Sequence, residues 1–359
     1  MAWAHRKSAE PSDLEAVVGH RSPDARSSFA SSAIWFGLKE DFVIAGHRLR
    51  TIGILALATT AISCSGATAR ATIEPHSSTG PAASLAADAT VVAAGDIACD
   101  PSVNSGAPTR CDQAATAAQI LALRPDAVLS LGDNQYERNT AAAYASVFDV
   151  SWGQFKSLIH PTIGNHEYLT RNAAGYFDYF GAAAGDPSMG YYSWNIGAWH
   201  IVTLNSECSH VGGCNTGSPQ EIWLKADLAA NPTACTLVTY HEPSWSSGEH
   251  GNAFQMATIW GDLVAAHVDV ALAGHNHDYE RFPALDASGN PDPSGVQEFV
   301  VGTGGKNHYP FAVPAMSGEV RDDTAFGVLE LKLHPSSYDW RFLPAPGYSF
   351  TDAGSNSCR

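Results

Sequence analysis

Short apolar runs recur along the chain at 90–94, 127–131, 158–163, 200–204, 236–240, 268–273, 299–301 and 327–333. Runs of this length, rich in Val, Leu, Ile and Thr and bounded by Gly, Asp or Asn, read as buried strands. Between several of them, positions 113–123, 220–228 and 253–267 carry apolar residues three and four apart, the spacing of a helix with one buried face. Strands alternating with helices predict an α/β domain with at least partly parallel sheets. The last two segments, FGVLELKL and SYDWRFL, have no helix between them and predict an antiparallel hairpin, so the sheet is mixed. Tyr191, Tyr192, Trp194 and Trp199 read as strand and core residues, and no internal repeat is visible.

The N-terminal part follows a different pattern. Residues 52–62 (IGILALATTAI) are uncharged, preceded by the basic His47-Arg48-Leu49-Arg50 and followed by small and polar residues. Eleven residues are too few for a bilayer core, which needs ~20. A basic start, a short apolar centre and a small-residue exit are the parts of a secretory signal peptide, and the rival reading is a short buried helix. Cleavage fits after Ala67-Thr68-Ala69, while Ala61-Ile62-Ser63-Cys64 is a loose lipobox that offers Cys64 as an alternative lipid anchor. The sequence divides into a leader at 1–46, with translation expected to start near Val43, a signal peptide at 47–69 and a linker at 70–89. The folded domain is expected at 90–345 and a C-terminal tail at 346–359.

Composition narrows the function. With 45% hydrophobic and 16% charged residues among 359, the chain is neither disordered nor a small disulfide scaffold. A formal charge of −16 argues against binding nucleic acid by charge. Positive charge for a phosphate ligand has to come from elsewhere, and a metal is the usual supplier. Beyond the signal peptide lie Cys99, Cys111, Cys208, Cys214, Cys235 and Cys358, an even set that reads as a disulfide framework. Proximity pairs Cys99 with Cys111 and Cys208 with Cys214, which leaves Cys235 with Cys358. A zinc knuckle is disfavoured because no C-x-x-C occurs.

The chemistry sits where the apolar runs end. Gly95-Asp96, Gly132-Asp133-Asn134-Gln135-Tyr136, Gly164-Asn165-His166-Glu167, His241 and Gly274-His275-Asn276-His277 each follow one. Ligands of open α/β sheets bind outside the carboxyl ends of strands, so these clusters are expected to converge. Singly, each is an ordinary turn or helix cap. Together they supply carboxylates, a carboxamide, a phenol and imidazoles, a donor set for iron, zinc or manganese. The donors outnumber what one ion uses, which points to a dinuclear site able to clamp a phosphoryl group without an arginine cluster.

The order GDxx, GDxxY, GNHE, VxxH and GHxH, from about 91 to 342, resembles the signature of calcineurin-like metallophosphoesterases, and the tyrosine in GDNQY resembles their purple acid phosphatase branch. The stretch HEPSW at 241–245 leading to Glu249-His250-Gly251 resembles the mammalian-type enzymes, and GHNHDYER at 274–281 the plant-type ones. The resemblance implies a sandwich of two mixed β-sheets flanked by helices, with metals at the strand ends. It implies that Asp96, Tyr136 and His277 bind a first metal, iron, that Asp133 bridges both, and that Asn165, His241 and His275 complete a second site for iron, zinc or manganese. Ala98 stands where the family has glycine, which asks for a negative φ there, and Glu167 sits beside the ligands without being one. The implied reaction is hydrolysis of a small phosphate monoester by a metal-held hydroxide in line with the leaving oxygen. His166 and His250 are the candidates to hold the phosphate and protonate that oxygen, so activity is expected to lean acidic, histidine having an unperturbed pKa of ~6.5.

Two rivals stay open: a phosphodiesterase or nucleotidase with the same site, its specificity set by loops such as 170–189, and a non-enzymatic metal-binding surface domain with a vestigial site. The run Val301-Gly302-Thr303-Gly304-Gly305-Lys306 lacks the spacing of a phosphate loop and reads as a glycine turn after a strand. Asp286 to Gly295 lacks the closing Glu of a calcium loop and reads as an exposed loop.

Overall fold

The central strands of the computed structural model, which describes residues 87–100 and 111–359, are buried on both faces. The leader, the signal peptide, Cys64 and most of the linker expected from the sequence lie outside the described residues. The first sheet has the order β13 (Asp352–Ser357), β12 (Ser337–Pro344), β11 (Gly327–His334), β1 (Ala89–Ala94), β2 (Ala127–Leu131) and β3 (Ile159–Thr162). The second runs β10 (Val320–Asp322), β8 (Tyr279–Leu285), β9 (Val296–Val301), β7 (Val270–Ala273), β6 (Cys235–Thr239), β5 (Trp199–Thr203) and β4 (Tyr192–Ile196). Strands β1, β2 and β3 are mutually parallel, as are β5, β6, β7 and β9, while the outer pairings are antiparallel. Both sheets are therefore mixed, the sandwich that the resemblance implies.

In the second sheet, Ile201, Leu237, Val270, Leu272 and Phe299 join the same core as Val91, Leu129 and Leu331 of the first. Their neighbours Val202, Val238, Ala271 and Val300 turn to the other face. There they meet Leu224 of α4 (Pro219–Ala230) and Ile259, Trp260 and Leu263 of α5 (Ala257–Ala265). Ser218 caps α4 by accepting from the Glu221 amide, with Pro219 in its first turn. The other α-helices among the described residues are α1 (Gln113–Leu123), α2 (Ala141–Ala143) and α3 (Ala174–Phe180). A threonine seam, Thr162 Oγ1 to Thr239 Oγ1 at 3.0 Å and Thr239 Oγ1 to Thr203 Oγ1 at 3.1 Å, draws the end of β3 against the ends of β6 and β5. That seam brings the loops of the two sheets together at one rim.

The structure departs from the sequence reading at its polar edges. The segment read as a tail, 346–359, contains β13, an edge strand on β12. Its pattern DAGSNS has no apolar alternation because most of it faces water, so periodicity misses it. Strand β8 was hidden by Arg281 and Pro283, and Pro283 falls within the irregular pairing between Arg281 and Ala284, where a missing donor is tolerated. The helix expected over 253–267 begins later: residues Phe254–Met256 form a 3₁₀ turn before α5. All three cysteine pairs are disulfides, Cys99–Cys111, Cys208–Cys214 and Cys235–Cys358. The last closes 123 residues and ties the edge of the first sheet to β6, worth about 4–5 kcal/mol on chain-entropy grounds.

Candidate metal centre

Every turn that leaves β1, β2, β3, β6 and β7 delivers a side chain to the same rim. Asp96 follows β1 with φ 57°, Asp133 follows β2 with φ 48°, and His275 follows β7 with φ 70°. Left-handed backbone is uncommon outside glycine, and its clustering on three converging residues is the pattern of a site held at a cost to the backbone. Gly132, at φ 87°, has to lack a side chain, since a Cβ there would lie 2.3 Å from His241 Nδ1. Ala98 is not among the residues with positive φ, so alanine fits the place where the family has glycine.

The donor atoms form two groups that share Asp133. In the first, Tyr136 Oη lies 2.6 Å from Asp96 Oδ1, 2.8 Å from Asp133 Oδ2 and 3.0 Å from His277 Nε2. In the second, His241 Nε2 lies 3.1 Å from Asn165 Oδ1, 3.3 Å from His275 Nδ1 and 3.4 Å from Asp133 Oδ1. Atoms that each bind one ion at about 2.0–2.2 Å sit about 3 Å from one another, so both groups have the spacing of a coordination shell. All seven residues expected as ligands are thus brought together.

The Nδ1 protons at this rim point away from its centre. His241 Nδ1–H donates to the Leu131 carbonyl at 2.8 Å and His277 Nδ1–H to the Asn307 carbonyl at 2.5 Å, which turns both Nε2 atoms toward the centre. Tyr136 has one proton for three acceptors. Such a crowd of lone pairs demands positive charge. Burial would strip the proton from His241, yet the charges of Asp133 and Asp96 outweigh it and hold its pKa well above the usual value. Burial opposes ionisation of Asp96 and Asp133, but His277 beside the one and His241 beside the other keep both below the usual carboxylate range. Burial and the His241 charge push His275 down to about 3, so its Nδ1 lone pair is free to coordinate. The residues present therefore fit a pair of metal ions. A further grouping, Cys235, Asp269 and Cys358, offers no thiolate because its sulfurs are joined.

Glu167 is the hidden organiser. Fully buried, it accepts from the amides of Asp133, Asn134 and Gly164 at 3.0, 2.9 and 2.7 Å, and so binds the second block to the third. Burial and the Asp133 charge push its carboxyl up to about 7 against those donors. His166 donates its amide to Asp133 Oδ1 and its Nδ1–H to the Glu137 carbonyl at 2.8 Å, with Nε2 3.9 Å from Asp133 Oδ2. His250 lies at the surface with its ring 4.6 Å from that of His275, and partial burial of the ring together with the His277 charge lowers its pKa. A cleft of about 240 Å³ is lined by His250 and His275 together with Glu242 and Gln255. The sequence reading gave no role to Asn276, whose Oδ1 receives the His250 amide at 2.8 Å, or to the segment 306–309, which wraps His277.

Comparison with known proteins agrees with this geometry. The family model for calcineurin-like phosphoesterases matches residues 89–279. Purple acid phosphatase 21 of Arabidopsis thaliana is 29% identical over 187 residues, 45% of this chain and 42% of that one. The phosphoenolpyruvate phosphatase of Allium cepa is 30% identical over 212 residues, 50% of this chain and 43% of that one. The chain thus spans about two fifths of the length of the curated relatives it matches. Among solved structures, the purple acid phosphatase from yellow lupin (Lupinus luteus) seeds superposes with a TM-score of 0.63 at 19% identity, over 76% of this chain and 54% of that one, a likeness of fold.

Proposed function

The chain belongs to the calcineurin-like phosphoesterase family, and from that premise we propose that it is an exported phosphoric monoester hydrolase with a dinuclear metal site. The observation that carries this reading is the division of Asp133 between two groups of donors, one on each carboxylate oxygen. Asp96, Tyr136 and His277 would hold iron, because a phenolate donates charge strongly to ferric iron. Asn165, His241 and His275 would hold iron, zinc or manganese, and Asp133 would bridge. Bound there, the cations supply Lewis acidity and lower the pKa of a water.

The protein's own groups supply the rest. His166, its Nδ1–H fixed on Glu137, turns Nε2 toward the rim and is placed to hold a phosphate oxygen. His250, beside His275 on the cleft, is the group placed to give a proton to the leaving oxygen. A cleft of this size suits a phosphoryl group with a small alcohol, and the negative charge of the chain disfavours nucleic acid. Export is supported by the signal-peptide pattern at 47–69 and by three disulfides, which persist in oxidising compartments. Among the described residues no helix is long and apolar enough to cross a membrane, and Cys64 remains the alternative lipid attachment point.

The test is hydrolysis of p-nitrophenyl phosphate against bis(p-nitrophenyl) phosphate by the metal-loaded protein. Faster turnover of the monoester is the expected result. Faster turnover of the diester favours the phosphodiesterase reading, and no turnover of either, with metals present, favours a vestigial site.

A further inference from the structure

The glycine turn after β9 does more than end a strand. Its backbone lies against the first block, with the Gly304 amide donating to the Gly95 carbonyl at 2.9 Å and the Lys306 amide to the Asp96 carbonyl at 2.8 Å. Gly304 permits that approach, since a Cβ there would stand 2.4 Å from the Gly95 oxygen. The chain then encloses His277. The Asn307 carbonyl accepts from its Nδ1–H, His308 Nδ1–H donates to its carbonyl at 2.7 Å, and the Tyr309 ring stacks on its imidazole at 4.3 Å. The Lys306 ammonium, on a buried side chain, stands 4.8 Å over the Tyr136 ring and pairs with Glu137, the residue after the phenol. One short segment thus touches Asp96, Tyr136 and His277 from outside.

We propose that Lys306 is a positioning residue for Tyr136, its ammonium seated on the ring face and anchored through Glu137, so that it fixes the phenol in the first donor group and tunes its electron donation. The proposal rests on the iron-binding reading above. Arginine or lysine over an aromatic face is attracted to the ring, and more strongly when buried. The positive charge also lowers the energy of the donor electrons of a phenolate, and so raises the energy of charge transfer from the ring to ferric iron. A purely structural lysine would hold the loop without moving that transition.

The experiment compares wild type, Lys306→Met and Lys306→Arg, each loaded with ferric iron, by visible spectrum and by iron retained against EDTA. Methionine keeps the apolar stem, and Glu137 is exposed enough to lose its partner without unfolding the chain. The methionine variant is expected to absorb at longer wavelength and to hold iron about tenfold more weakly, the scale usual for groups that orient a ligand, with arginine restoring both. A methionine variant that matches wild type in band and retention overturns the positioning role while leaving the metal site intact. A wild type that retains no metal overturns the dinuclear reading and this proposal with it.

Discussion

Asp133→Asn is expected to reduce phosphoester hydrolysis by about 1,000-fold or more and to leave the protein folded, because a carboxylate that would serve both donor groups has no substitute in the site. Asparagine keeps the shape of the side chain. Its Oδ1 can still receive the His166 amide, which Asp133 accepts at 2.9 Å. What it lacks is the second anionic oxygen, the one 2.8 Å from Tyr136 Oη, and the negative charge that both donor groups share. Loss of metal from both groups together, read alongside unchanged circular dichroism, is the signature of a bridge. Retention of one full equivalent of metal would show that Asp133 serves a single ion.

The second large effect concerns a residue outside both donor groups. Glu167→Gln preserves volume but turns one oxygen into an amide NH₂. Oε1 accepts from Asn134 N and Nδ2, and Oε2 from the amides of Asp133 and Gly164, so either orientation sets donors against donors in a buried place. Leaving two such groups unsatisfied costs about 3 kcal/mol. For a domain of this size that is a fall in Tm of roughly 6–12 °C. Because Asp133 stands on the loop that Glu167 ties down, metal retention is expected to fall with it. A thermal melt equal to wild type would show that Glu167 is dispensable to the rim.

The strands that carry these loops were legible because they are buried on both faces and read as continuous apolar runs. Four of the candidate donors were legible because each follows such a run directly, with glycine before it: Gly95-Asp96, Gly132-Asp133, Gly164-Asn165 and Gly274-His275. Strand β13 was illegible because an exposed edge has no apolar face to betray it, and β8 because Pro283 mimics a turn. The shell around His277 was illegible for a different reason. Asn307 acts through its backbone carbonyl, which any residue possesses, across thirty residues of chain. Lys306 was visible only as the end of a failed phosphate-loop motif, and its place over Tyr136 depends on two sheets meeting. Glu167 could be placed beside the ligands from its neighbours, but the three amides it holds come from two different blocks.

The central claim is that the two donor groups around Asp133 each hold an ion. Elemental analysis of the purified native protein tests it most directly. Two metal ions per chain, at least one of them iron, is the result this account predicts; one ion or none would contradict it.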